Sequence, residues 1–146
     1  MSKSTFSACV TAKDGLTMEC VSRGFKINMD EPQALGGNNT GMNPVEAMLN
    51  ALGACKAIVA RCFAKAHNVH FTNLRIELTG TLDPDGFRGV NPDAKIGLSE
   101  IHTKYYFESD EPDEKLEEFV KFMEKTCPVM DTIVNTPKFV DEIIRM

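Results

Sequence analysis

Cysteine is the residue type in this sequence with the greatest chemical reach. There are five: Cys9, Cys20, Cys55, Cys62 and Cys127. The number is odd and no two stand in a C-x-x-C pair, so they do not read as the disulfide framework of a small secreted protein. One or two active thiols in a reducing compartment fit better. A thiol reacts as its thiolate, and its surroundings decide how much thiolate there is. Cys127 precedes Pro128, and a proline at a first helical position would put Cys127 at or near an N-cap, where the field favours a thiolate. Cys55 falls inside a long apolar stretch, roughly 18 Å along it if that stretch is helical. A helix dipole fades within the first turn, so a reactive Cys55 needs a cation or donor from another element. Lys56 would project roughly 100° away from it. Arg23, beside Gly24 at a strand junction, is the first candidate, against the plainer reading of a solvated strand-end arginine.

The other thiols suggest less. Cys9, Cys20 and Cys62 read as small buried hydrophobes. Cys62 shares a helix face with Cys55, but two turns separate their Cα atoms by roughly 10 Å, too far for a disulfide. Cys62, His67 and His70 lack a zinc-ligand spacing, so no metal and no bound cofactor are expected. His102, on a strand, reads as structural. No Ser/His/Asp order, phosphate-cradling glycine loop or carboxylate pair stands out.

The elements that must position these residues follow from pattern. Asn43 to His67 predicts one long buried helix: Asn43 caps it, Pro44 opens it and Glu46 completes an Asn-x-x-Glu capping box. Met48, Leu52, Cys55, Val59, Cys62 and Ala66 form its apolar stripe, widened by Val45, Leu49, Ile58 and Phe63. Before it, Thr5–Thr11, Leu16–Ser22 and Phe25–Met29 predict three antiparallel strands, the first pair joined at Asp14-Gly15. Asp30–Met42 is a Gly- and Asn-rich connection without periodicity. After it, Phe71–Leu82 and Leu98–Ser109 alternate as paired strands around the Pro- and Gly-rich loop Asp83–Gly97. A helix is expected after Pro112, with Leu116, Phe119, Val120 and Met123 on its apolar face, and a short one from Pro128 to Val134. Pro137–Met146 is expected to close the fold as a short strand or helix. The order of strands, helix, strands and helices makes this an α+β chain, with residues 1–146 one domain.

A length of 146 residues suffices for a real core, and the net charge of −5 without a basic cluster argues against nucleic acid or an anionic membrane as partner. The central apolar stretch is too interrupted to span a bilayer. The N-terminal MSKSTFSACV has no signal-peptide run, so a cytoplasmic protein is expected.

Three segments together, GMNPVEAMLNALGAC (Gly41–Cys55), PDGFRGVNP (Pro84–Pro92) and EKTCPVMDTI (Glu124–Ile133), resemble the OsmC/Ohr family of thiol-dependent peroxidases, closest to its OsmC-like branch. The resemblance covers nearly the whole chain in order. It implies two antiparallel sheet segments around a long central helix, in an intertwined homodimer with active sites at the subunit interface. It also implies that Cys55 is the peroxidatic thiolate, attacking an organic hydroperoxide, and that Cys127 resolves the resulting sulfenic acid to a disulfide reduced by an external thiol. The family's activating arginine, held by a glutamate, would correspond to Arg23 and Glu46. Well-characterised members carry that glutamate directly after the proline, where this chain has Val45. Glu46, one position on, would point roughly 180° from Cys55 on a regular helix. The rival reading is a dimeric protein that binds an apolar small molecule or senses redox state.

Overall fold

The computed structural model describes residues 1–146, which form two compact units, Met1–Asn50 and Ala51–Met146. The first contains β1 (Cys9–Ala12), β2 (Met18–Ser22) and β3 (Phe25–Met29), an antiparallel sheet in the order β1-β2-β3. The Asp14-Gly15 turn forms as its sequence predicts: Lys13 N–H donates to the Thr17 carbonyl at 2.9 Å, and Gly15 takes φ 57°. The second turn is tighter. Arg23 and Gly24 both adopt positive φ (52° and 85°) between the paired Ser22 and Phe25, the type I′ geometry that matches strand twist. β1 starts at Cys9 rather than Thr5, because only Cys9–Ala12 find partners on β2.

The connection from Asp30 to Met42 contains one short 3₁₀ turn, Gln33–Leu35, and is organised by a single carboxylate. Asp30 is buried. Its Oδ2 accepts from the hydroxyls of Thr17 and Thr40, both at 2.7 Å, and from Thr40 N–H at 3.2 Å. Its Oδ1 accepts from the N–H groups of Glu31 (2.8 Å) and Asn38 (3.2 Å). Donors from the residue before β2 and from both ends of the loop thus converge on one side chain, so a segment with no apolar periodicity still has one conformation. The loop also folds close on itself: a Cβ on Gly37 would lie 1.9 Å from the Glu31 carbonyl oxygen, and one on Gly41 2.1 Å from that of Asn28.

Helix α1 (Pro44–Phe63) begins in the first unit and continues in the second. The second unit adds the hairpin β4 (Asn73–Thr81) and β5 (Glu100–Glu108), paired from Asn73 opposite Glu108 to Thr81 opposite Glu100. Its Ile101, Thr103, Tyr105 and Phe107 share the inward face, as their alternation predicts. Within the loop that follows β4 stands a single turn, α2 (Pro84–Phe87), capped by Asp83. Helices α3 (Asp113–Thr126) and α4 (Pro128–Val134) complete the unit. Its core is Val59, Ala60, Val69, Phe119 and Met123, with Phe71, Leu74, Ile76 and Phe107 packed around them.

Three further expectations are corrected. The covered face of α1 is Leu52, Gly53, Lys56, Val59 and Ala60, a rotation from the expected stripe that leaves Met48 and Cys62 exposed. The helix stops at Phe63 instead of His67, because Asn68 turns left-handed (φ 53°) and Val69 N–H reaches back to the Ala64 carbonyl. Pro137–Met146 has no regular structure and is exposed throughout.

Burial by itself would raise the Asp30 pKa, but the Thr40 and Thr17 hydroxyls and the Glu31 and Thr40 N–H groups outweigh it and hold the carboxyl far below the usual range. A depressed native pKa stabilises the fold above the unfolded-state value of about 3.9, and that stabilisation is lost as pH falls below it toward the native value. Asp30→Asn should therefore lower the urea midpoint at pH 7 and flatten its fall in acid. An unchanged midpoint at pH 7 would show that the carboxylate does not organise the loop. Gly37→Ala should cost about 1–3 kcal/mol through the backbone clash, measured by the same denaturation.

Candidate active site

Pro128 creates the site. The residue before a proline is driven out of the helical region, and Cys127 accordingly sits at φ −74°, ψ 114°, between α3 and α4. It becomes the N-cap of α4: its Sγ accepts from Met130 N–H at 3.4 Å and its carbonyl from Asp131 N–H at 3.0 Å. Cys127 is completely buried. The half-buried Cys55, on α1, has its thiol near enough to the Cys127 side chain and to Val129 N–H for both to act on its charge. The first turn of α4 thus gives one N–H to Cys127 and sets another close to Cys55. Both thiols are free, and they neighbour each other across the junction of the two helices.

The electrostatics are less favourable to a thiolate. Burial pushes the Cys55 thiol up; Val129 N–H pulls it down, and the neighbouring Cys127 adds to the rise, leaving it above the usual thiol range. The adjacent cation is committed elsewhere. Lys56 is buried, with Nζ 3.4 Å from Glu124 Oε1 and 5.5 Å from the centroid of the Tyr105 ring. The same Oε1 accepts the Tyr105 hydroxyl at 2.9 Å. Burial first, then the Glu124 carboxylate, and finally Cys127 push the Tyr105 hydroxyl above its ordinary range, so that hydroxyl lies within electrostatic reach of the second thiol.

Of the residues singled out from sequence, Cys55 and Cys127 come together. Arg23 and Glu46 belong to the Met1–Asn50 unit. The Arg23 guanidinium lies 5.0 Å from the centroid of the Phe25 ring. Glu46 closes the capping box: its Oε2 accepts from Asn43 N–H, and Asn43 Oδ1 accepts from Glu46 N–H, each at 2.8 Å. Cys9 and Cys62 are exposed and Cys20 half-buried, so the expectation of three buried cysteines is corrected. Cys9 stands on a β1 with no covered face, and Cys62 on the side of α1 that the hairpin and α3 leave open. His67 rests on the Phe122 ring at 4.0 Å, while His70 Nδ1 lies 3.1 Å from Glu111 Oε1, so these two do not converge with Cys62. His102 is exposed and pairs with Glu100 at 2.6 Å. Sequence reasoning passed over Lys56, Glu124 and Tyr105. The available signal was a lysine in the middle of an apolar helix, with an acid one turn before the second cysteine.

A family model described as OsmC-like protein matches residues 36–141. The chain is similar to a hydroperoxide reductase of Mycoplasma genitalium, 30% identical over 128 residues that cover 86% of this chain and 84% of that protein. It is similar also to a hydroperoxide reductase of Mycoplasma pneumoniae, 29% identical over 119 residues, covering 80% and 78%. Among solved structures, an OsmC-like protein from Mycoplasma pneumoniae superposes with a TM-score of 0.81 at 24% identity, covering 92% and 91% of the two chains. The organic hydroperoxide resistance protein OhrB of Bacillus subtilis superposes at 0.60 with 25% identity, covering 90% and 93%. No helix of the structure is long and apolar enough to cross a membrane. The paired thiols at a helix junction, the α+β architecture and a family match over most of its length lead to one conclusion: the chain belongs to the OsmC-like protein family.

Proposed function

We propose that the protein is a thiol peroxidase that reduces organic hydroperoxides through Cys55 and Cys127. The nearness of the two thiols carries the reading, and the names of the two mycoplasmal relatives support it. The Cys55 thiolate attacks the O–O bond of the hydroperoxide; sulfur is oxidised to the sulfenic acid, and the alcohol leaves after taking up a proton. The Cys127 sulfur then attacks the sulfenic sulfur, forming the disulfide and releasing water. Two equivalents of an external thiol return both cysteines to the reduced state and leave as their own disulfide.

In this reading the half-exposed Cys55 meets the oxidant, and the buried Cys127 is reached only through it. Val129 N–H stabilises negative charge on the attacking sulfur. Desolvation opposes that charge, so activity needs a further cation; the resemblance implies an arginine held by a glutamate, for which Arg23 and Glu46 are the candidates, Glu46 standing in the capping box. It also assigns a homodimer, which the exposed Ile58, Phe139, Val140, Ile143 and Ile144 of the second unit support as surface for a second copy. The raised thiol pKa favours one alternative, a binding protein whose thiols stay reduced.

A slight excess of cumene hydroperoxide added to the reduced protein should give a Cys55–Cys127 disulfide, mapped by mass spectrometry, within seconds to minutes. Cys55→Ser should abolish turnover, and Cys127→Ser should stop after one turnover with sulfenic acid trapped on Cys55. Thiols that remain titratable but untouched by peroxide would select the binding protein instead. The rate of Cys55 alkylation should climb with pH through the ordinary thiol range, since deprotonation is held up by burial. If Arg23 supplies the cation, Arg23→Ala should displace that climb to still higher pH; a superimposable profile would remove Arg23 from the mechanism.

A further inference from the structure

The half-buried ion pair beside the thiols has no part in the steps above, yet its placement ties it to them. Lys56 directly follows Cys55 on α1, and Glu124 stands one turn before Cys127 on α3. Tyr105 comes from β5. Three elements therefore meet at one carboxylate oxygen, Glu124 Oε1, which takes Lys56 Nζ at 3.4 Å and the Tyr105 hydroxyl at 2.9 Å. The Lys56 side chain is only 2% exposed, whereas Glu124 keeps 40% of its side chain in solvent. A buried ammonium without a partner is costly, so Lys56 holds the last turn of α3 where its carboxylate can reach. Tyr105 donates to that same oxygen and fixes which way the carboxylate faces. The ring also lies within 5.5 Å of Nζ, limiting where the amine can go.

A disulfide tolerates little error: the two Cβ atoms must approach to about 3.8 Å. An ångström of slip between α1 and the end of α3 would separate the sulfurs.

We propose that Lys56, Glu124 and Tyr105 form a positioning clamp that docks α1 on the end of α3 and so sets the effective concentration of the Cys55 thiol toward Cys127. This rests on the Cys55–Cys127 reading of the preceding subsection, although it requires no peroxide. The three residues act through the helices that carry the sulfurs and are positioning residues, not catalytic ones.

The full-length protein is equilibrated in glutathione buffers of varied ratio, and the fraction with a Cys55–Cys127 bond is read by mass spectrometry after acid quenching. The exchange converts the dithiol and oxidised glutathione into the protein disulfide and two reduced glutathiones. Lys56→Met and Glu124→Gln should each lower its equilibrium constant about tenfold, and the double variant should be no worse than either alone, as for partners in one interaction. Tyr105→Phe, which removes a single hydroxyl, should lower it about threefold. Lys56→Arg, which keeps the charge, should restore it to near the wild-type value. Constants for Glu124→Gln and Tyr105→Phe matching wild type would overturn the clamp even if Lys56→Met failed to fold. Additive losses in the double variant would overturn it too, as would a Lys56→Arg no better than Lys56→Met. A protein inert to peroxide whose disulfide equilibrium shifts as described would retain the clamp and lose only the peroxidase. A wild type that forms no Cys55–Cys127 bond at any glutathione ratio would overturn both.

Discussion

The second unit depends on a break in its helices. Were α3 to run on through residue 127 into α4, the N–H groups of Val129 and Met130 would be consumed by carbonyls one turn back. Pro128 prevents this by forcing Cys127 out of helical geometry. The N–H groups of the new helix start are thereby left without intrahelical acceptors and face sulfur: Met130 N–H donates to Cys127, and Val129 N–H lies near enough to Cys55 to favour its thiolate. One covalent constraint ends a helix, turns a thiol inward and presents the donors that polarise both thiols.

That arrangement sets stability against reactivity. Two neutral thiols suit a dry junction, and Cys127 is fully buried there as a small hydrophobe would be. The same dryness makes a charge on Cys55 unfavourable, and one N–H does not reverse it. The one cation adjacent in sequence is neutralised by Glu124 and covered by Tyr105. Lys56 therefore serves packing, and the charge that a peroxidase needs at Cys55 must come from a residue outside this clamp.

Much of the fold was legible in the sequence, and the omissions share a cause. The alternation in β4 and β5, the apolar face of α3 and the Pro128 break are local patterns, and each appears where local rules place it. The orientation of α1 was not legible, because hydropathy assigns every lysine to the outside. What turns Lys56 inward is a carboxylate 68 residues away, with a tyrosine hydroxyl that fixes it. The Asp30 loop was recognisable only as a loop: its five donors come from positions 17 to 40, and no periodicity relates them. At the site, Cys127 as a helix cap followed from Pro128. The pairing of Cys55 with Cys127 came from family resemblance, because no spacing rule joins residues so far apart.

The unequal burial of the two sulfurs gives the proposed cycle a direction. Cys127 is sealed and Cys55 half-open, so both external reagents approach from the Cys55 side. A hydroperoxide would reach Cys55 first, and the sulfenic acid formed there would have Cys127 as its neighbouring thiol. A reducing thiol must likewise attack the Cys55 sulfur of the disulfide, making Cys127 the leaving group. Met130 N–H, which already donates to Cys127 Sγ, stabilises the thiolate as it departs. One backbone donor thus favours both forming the bond from the Cys127 thiolate and breaking it to return that thiolate, which is what a disulfide meant to be reversible requires.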